Sequence, residues 1–387
     1  MTDTRITLDL PVTLKPRLSQ GHPWVYRDQV PRPPDLPSGA WVRVRCGGFS
    51  AYGVWDASSP IAVRVFSHHG VPDAGWVAGR VAGAWEVRAP VRAGPTTAYR
   101  WVYGESDGLP GIVVDLYGQY AVIQTYAESV AGLVPWVADA LHAHARLQGI
   151  LQRMPGSEPE SLWGRLPPRD LTVEENGILF GADLRAGQKT GLYLDQRDNR
   201  QTLGRWCGGQ SVLDCFCYTG GFSLYAIRGG AATVTACDAA DEALEAARGN
   251  WGLNGLDPAG QTFLTGDAFD VLKRFGEEHR RFGVVILDPP SFARDRQARQ
   301  AAERAYVRLN RLAILCVEPG GLLASSSCTS QVSLEAFRQA LAEAARQAGR
   351  RLLVIHEAGH AVDHPVPAHF PEARYLKFVV SRVLPLA

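Results

Sequence analysis

Lysine is scarce in this 387-residue chain: only Lys15, Lys189, Lys273 and Lys377 contribute to its 40 basic residues, and the other 36 are Arg. Those 40 cations face 39 acids, a formal net charge of +1, so bulk charge argues for no particular partner and there is no basic or acidic tail. The seven cysteines (Cys46, Cys207, Cys215, Cys217, Cys237, Cys316 and Cys328) form no C-x-x-C pair and join no His cluster at zinc spacing. A disulfide framework and a structural zinc site are therefore poor readings, and reduced thiols are expected. No stretch approaches the roughly 18 continuous apolar residues of a membrane helix. The opening MTDTRITLDL lacks the apolar core of a signal peptide. These absences describe a soluble, cytoplasmic protein. A G-x-G-x-x-G dinucleotide fingerprint is missing as well.

What is present suffices for a folded chain. Apolar residues make up 46% and charged residues 20%, enough to give each of two or three units its own core. Residues 1–70 read as short β runs (6–10, 41–45, 51–55 and 61–66) punctuated by Pro31, Pro33, Pro34 and Pro37, the pattern of a small barrel. Residues 71–180 contain strand-like 111–115 and 120–126 and a helical stretch at about 130–145. From Ser211 onward, apolar runs at 211–217, 233–237, 262–265, 284–287 and 322–326 alternate with amphipathic helices. That rhythm predicts an α/β fold with a parallel, doubly wound sheet over 181–387, with closing strands at 351–357 and 375–384. The three segments carry +3, −4 and +2, a weak hint that a polyanion would meet the ends of the chain. No internal repeat or low-complexity segment is present.

Chemistry concentrates at the ends of the predicted strands. Asp214-Cys-Phe-Cys-Tyr-Thr-Gly220-Gly-Phe222 is a strand running into a glycine turn and then a helix, where backbone can approach an anionic ligand group. Asp238 ends the next strand and could accept ribose hydroxyls; Asp267 follows the third and could meet an adenine amino group. Each acid alone is more simply a helix cap, but three in succession favour a nucleoside. Asp288-Pro-Pro-Ser-Phe292 follows the fourth strand as a rigid, extended wall for a planar base, with Phe292 available to stack. Cys328 follows the fifth. A thiolate there could act as a nucleophile, Cys217 is its rival, and Cys215 reads as core.

These residues resemble a known family. Gln188–Asp198 (Gln-Lys-Thr-Gly-Leu-Tyr-Leu-Asp-Gln-Arg-Asp), the 214–222 turn, Asp-Pro-Pro-Ser-Phe, Ser327-Cys328 and Asp363-His-Pro365 are similar to the bacterial 23S rRNA cytosine-C5 methyltransferases. His22-Pro-Trp24 and Gly104–Gly111 extend the likeness into the first two segments. The resemblance implies a Rossmann-like class I methyltransferase domain with a mostly parallel seven-stranded sheet at 181–387. A PUA-type β-barrel at 1–70 and a central α+β domain at 71–180 would precede it. It implies S-adenosylmethionine (SAM) as cofactor and 23S rRNA or a large-subunit precursor as partner. By the same analogy the chain would form a homodimer. Cys328 would be the nucleophile that adds to cytosine C6, and Asp288 would bind the N3/N4 edge. Asp238 would hold the ribose and Asp267 the adenine; Tyr218, Thr219, Gly220 and the 189–197 segment, with Tyr193, Gln196 and Arg197, would surround the methionine part. Asp214 would brace the turn, and Asp288 also borders the cofactor. A related cytosine-methylating family has a second cysteine where this chain has Ser291, so one working thiol is expected. RNA contacts would come from Arg17, Arg27, Arg32, Arg43 and Arg45. Two rivals remain: an N7-guanine methyltransferase, which needs no cysteine, and a non-catalytic RNA-binding assembly factor.

Overall fold

The computed structural model describes residues 6–154, 159–185, 192–293 and 297–386. Two compact units emerge. The first takes residues 1–174, 182–194 and 362–373; the second takes 175–181, 195–361 and 374–387.

In the first unit, β1 (Thr7–Asp9), β2 (Trp24–Tyr26), β3 (Trp41–Cys46), β4 (Phe49–Trp55) and β5 (Ile61–Ser67) form one sheet in the order β1-β3-β4-β5-β2, with the short helix α1 (Lys15–Ser19) between β1 and β2. Alternation explains β3: Val42, Val44 and Cys46 point into a core with Leu8, Val25 and Val63, while Arg43 and Arg45 face water. Helices α2 (Ala74–Val87) and α3 (Ala89–Arg92) lead into a second sheet. This one contains β6 (Ala98–Tyr103), β7 (Ile112–Tyr117), β8 (Tyr120–Thr125), β9 (Gly149–Arg153) and β10 (Glu160–Gly164), with α4 (Val134–His144) between β8 and β9. The helix expected at 130–145 is α-helical only from Val134, because Glu128–Leu133 forms a 3-10 turn and Pro135 fits the first helical turn, where it loses no hydrogen bond.

A hairpin of β11 (Thr172–Glu175) and β12 (Ile178–Gly181) precedes α5 (Arg197–Gly204) and the main sheet. That sheet holds β13 (Ser211–Cys215), β14 (Thr233–Asp238), β15 (Thr262–Thr265), β16 (Phe282–Leu287), β17 (Val317–Ser327), β18 (Arg350–Ala358) and β19 (Lys377–Pro385). Its helices are α6 (Gly221–Arg228), α7 (Asp241–Leu253), α8 (Ala268–Glu277), α9 (Arg299–Leu315) and α10 (Leu334–Gln347). Strand order is β15-β14-β13-β16-β17-β19-β18, parallel through β17, with β19 antiparallel to both neighbours. This is the mostly parallel seven-stranded α/β sheet expected from the sequence. Leu213, Cys215, Val285 and Leu287 pack with α8, α9 and α10 in one core. On the opposite face Asp214 meets α6, where Ser223 Oγ donates to it at 2.7 Å. Strand β13 ends at Cys215 rather than 217, because Phe216 takes a left-handed φ of 64° and turns the chain.

Candidate active site

Register brings the predicted residues to one edge. Cys215 lies opposite both Cys237 and Leu287, Asp238 opposite Thr265, and Leu287 opposite Ser325. The carboxyl ends of β15, β14, β13, β16 and β17 are thus level, and the residues that follow them share one rim. This is the side on which open α/β sheets take ligands. Asp267, Asp238, the 216–220 turn, Asp288 and Cys328 line that rim in that order.

The turn is held in a demanding conformation. Phe216, Tyr218 and Gly220 have φ of 64°, 49° and 79°, and two of them are not glycine, so their surroundings must enforce the shape. Asp238 does part of this: its carboxylate accepts from Tyr218 N at 2.9 Å and Ala240 N at 3.1 Å. Asn250 Nδ2 donates to Thr219 O at 2.9 Å. A Cβ at Gly220 would lie 3.1 Å from the Ala247 Cβ, so backbone alone fits there. Asp238 stays half-exposed and retains acceptor capacity. Asp267 is exposed and caps α8 through Phe269 N and Asp270 N, which is the simpler role weighed for it.

Asp214 is fully buried, and burial pushes its carboxyl up to about 7, helped by the charges of Asp288 and Asp238 and opposed by Ser223. Its Oδ1 has no hydrogen-bond partner among the described residues. Asp288 is also pushed up, to about 6, by burial first and then by the charge of Asp195, against the pull of Gln196 and Arg200. Gln196, 2% exposed, aims Nε2 at Asp288 Oδ1 (2.8 Å) and Ser326 Oγ (3.1 Å), and Asn199 Nδ2 holds the Gln196 oxygen at 2.7 Å. Of the 189–197 segment, residues 189–191 lie outside the described residues. Arg197 is buried and pairs with Asp198; Tyr193 is half-buried and falls in the first unit's share of the chain.

Cys328 is the only one of the seven cysteines that is not buried. Its Sγ lies 3.9 Å from Pro289 O, at the strand beside Asp288. Cys217, its rival, is buried beside Asp214 and Asp238, and its thiol is held well above the ordinary range, chiefly by burial. Cys215 is core, as read from the sequence. Phe292, expected to be free for stacking, packs at 4.8 Å on Tyr306 and also touches Phe269.

Sequence reasoning missed the polar network behind the thiol. Thr329 Oγ1 meets Tyr306 Oη (2.8 Å), Ser291 Oγ (3.2 Å) and Phe292 N (3.2 Å). Lys377 Nζ donates to Thr329 O at 2.6 Å. These residues are scattered along the chain, and no local spacing links them.

Of the five arginines suggested for RNA contact in the first unit, Arg32, Arg43 and Arg45 are exposed. Arg45 pairs with Asp9 and Arg43 reaches Ser50. Arg27 is spent on the carbonyls of Ser59 and Asp56, and Arg17 on His22.

Comparison with known proteins agrees with this geometry. Residues 120–366 match the S-adenosylmethionine-dependent methyltransferase family, and residues 13–68 match the PUA-like domain family. Ribosomal RNA large subunit methyltransferase I of Shewanella amazonensis is 37% identical over 97% of this chain and 100% of its own length. The Aeromonas salmonicida protein of that name is 35% identical over 94% and 96%, and the Klebsiella pneumoniae one 34% over 95% and 96%. A methyltransferase solved in complex with SAH shares the fold with a TM-score of 0.89 at 22% identity, over 97% of this chain and all of its own. The chain belongs to the S-adenosylmethionine-dependent methyltransferases, in the family of ribosomal RNA large subunit methyltransferase I.

Proposed function

We propose that the protein methylates C5 of a cytosine in 23S rRNA through a covalent adduct with Cys328. One observation carries this reading: the single accessible thiol of seven lies at the carboxyl end of β17, beside the strand that ends in Asp288. An N7-guanine methyltransferase would need no thiol there.

The rim fits SAM by its chemistry. Asp238 and Asp267 offer acceptors to ribose hydroxyls and an adenine amino group, and the 218–220 backbone turns through left-handed φ at Tyr218 and Gly220. Asp214, Tyr218, Thr219, Gly220 and the segment with Tyr193, Gln196 and Arg197 would surround the methionine part. Bound SAM supplies an electrophilic methyl group.

The remaining chemistry belongs to the chain. Cytosine C5 is a poor nucleophile until Cys328 Sγ bonds to C6. The C5=C6 electron pair then moves onto C5 and is shared with N3. Asp288, with a carboxyl near 6, can present a proton or a carboxylate to the N3/N4 edge and stabilise the charge that grows there. Gln196 fixes the orientation of that carboxyl. Once C5 carries its new methyl group, loss of the C5 proton to a base restores the C5=C6 bond and expels the thiolate. A paired cytosine cannot reach such a rim, so the base is taken unpaired or flipped at a cost of a few kcal/mol. The exposed Arg32, Arg43 and Arg45 of the first 70 residues supply phosphate contacts.

The test is mass spectrometry of 23S rRNA fragments after reaction with SAM. A methyl group on cytosine C5 is expected with the parent. Cys328→Ala should abolish transfer, and 5-fluorocytosine-substituted RNA should become covalently attached to the parent but not to the variant. Transfer at the parental rate by Cys328→Ala overturns the reading.

A further inference from the structure

Lys377 is one of only four lysines and is 5% exposed. It opens β19 directly opposite Ser327, the residue before Cys328. Its ammonium donates to Thr329 O at 2.6 Å and Tyr375 O at 2.7 Å. Two neutral carbonyls are therefore its hydrogen-bond partners, and among the described residues no carboxylate lies within ion-pairing distance of it. Burying a cation without a counter-charge is costly. The group with which it interacts electrostatically is the Cys328 sulfur. Burial pushes the ammonium down to about 8, so it still carries its charge at neutral pH.

Among the other described titratable groups around this corner, Arg200 acts on Asp288 and is itself paired with Glu175. Asp288, at the end of β16, is acidic. Tyr306 of α9 is pushed up to about 12, chiefly by burial, with Cys328 and Asp288 adding to the effect, so it remains a neutral hydroxyl. Tyr375, just ahead of β19, donates its own hydroxyl to Asp195 at 2.6 Å. Tyr306 and Lys377 both interact electrostatically with the Cys328 sulfur, and of the two it is Lys377 that carries a positive charge.

We propose that Lys377 is the positioning residue for Cys328: it ties the turn after β17 to the start of β19 and provides the counter-charge of the thiolate. The inference rests on the reading of Cys328 as nucleophile, and it explains why a buried lysine stands at the edge of an otherwise arginine-based protein. A lysine suits the role because its compact ammonium is a point charge that can serve two carbonyls and a sulfur together.

The experiment is alkylation of the full-length chain by limiting iodoacetamide from pH 6 to 9, with the Cys328 peptide followed by mass spectrometry and methyl transfer assayed in parallel. Lys377→Gln keeps a donor within reach of Thr329 O but removes the charge; Lys377→Arg keeps the charge. At pH 7 the Gln variant should alkylate Cys328 about tenfold more slowly, and the rise of both alkylation and transfer should move about one pH unit upward. The Arg variant should stay within about threefold of the parent. Equal rates for parent and Gln variant overturn the proposal, and so does equal slowing by Gln and Arg. The six buried cysteines report folding in the same digest. If they react in both variants, the parent decides alone: its Cys328 profile should level off below about 8.5, the ordinary thiol value, and a profile that keeps rising past it overturns the proposal. Transfer by Cys328→Ala would instead sink the nucleophile reading and leave the alkylation result standing.

Discussion

Replacing Asp214 by Asn should remove a loss of stability that the catalytic unit suffers as pH rises, while impairing its activity. Asp214 is fully buried, holds one hydrogen bond from Ser223 and has a second oxygen without a partner among the described residues. Burial raises its carboxyl from 3.8 to about 7. The native state therefore binds this proton more tightly than the unfolded chain does. The resulting stabilisation is complete below 3.8, declines as pH rises, and is gone above about 7. Across that whole interval the loss is about 4 kcal/mol, of which about 3 kcal/mol falls between pH 5 and pH 8. Asparagine does not titrate and loses none of it. Its oxygen can still accept from Ser223, although its buried NH2 needs a partner at a cost of about 1–3 kcal/mol, which is the same at both pH values. Differential scanning calorimetry of parent and variant at pH 5 and pH 8 isolates the effect. The melting-temperature difference, variant minus parent, should be about 5–10 °C more positive at pH 8, at roughly 2–4 °C per kcal/mol for a unit of this size. A difference equal at the two pH values to within about 1 °C would refute the burial of an ionisable Asp214 beneath α6. Methyl transfer should fall at pH 8, where the parent's Asp214 carries a charge that asparagine lacks.

Two further outcomes follow from the same surroundings. Arg200 and Glu175 form a buried ion pair with bonds of 3.0 and 2.6 Å; Arg200→Met strands the carboxylate and should cost about 3–5 kcal/mol in chemical denaturation, with part recovered by adding Glu175→Gln. Gly220→Ala places a Cβ 3.1 Å from the Ala247 Cβ at a φ of 79°; about 1–2 kcal/mol of backbone strain should appear in denaturation, and calorimetric titration should register weaker SAM binding.

The parallel core was legible because buried strands announce themselves. Phe282–Leu287 is apolar or glycine at every position and is buried throughout. Two helices carried less consistent signals. In α2, Gly75, Gly79 and Gly83 argue against a helix by propensity, but a Cβ at Gly79 or Gly83 would touch nothing, so the glycines are tolerated while Val77, Val81 and Ala84 pack. In α8, Ala268, Val271, Leu272 and Phe275 fall at helical spacing behind the cap Asp267. That acid served as a ligand candidate in the sequence, and its capping role, the plainer signal, marks the helix start. The rim itself was legible acid by acid, because the candidate acids stand at or just after the ends of apolar runs. Gln196 was named from its motif, but its link to Asp288 was not legible, and neither were Tyr306 and Lys377, since the partners lie 92, 23 and 48 residues away and only the sheet order joins them.

The rim gathers groups that burial holds away from their ordinary ionisation: Asp214 and Asp288 upward, Lys377 downward. Each is less favourable to the fold than an apolar residue would be, so packing does not account for them. Their arrangement does. A cationic cofactor favours acids on the β13–β15 side, whereas under the proposed mechanism a thiolate needs a cation on the β17–β19 side. Asp288 lies between, where the proposed mechanism has a base carrying transient negative charge to be met by a proton. Opposite electrostatic demands are thus met by opposite ends of one row of strands, and strand order 14-13-16-17-19 separates them. The antiparallel insertion of β19 beside β17 has a chemical consequence in this arrangement. A parallel strand there would bring its carboxyl end to the rim, whereas β19 begins at it, so its first residue can be the lysine that lies opposite Ser327, next to Cys328.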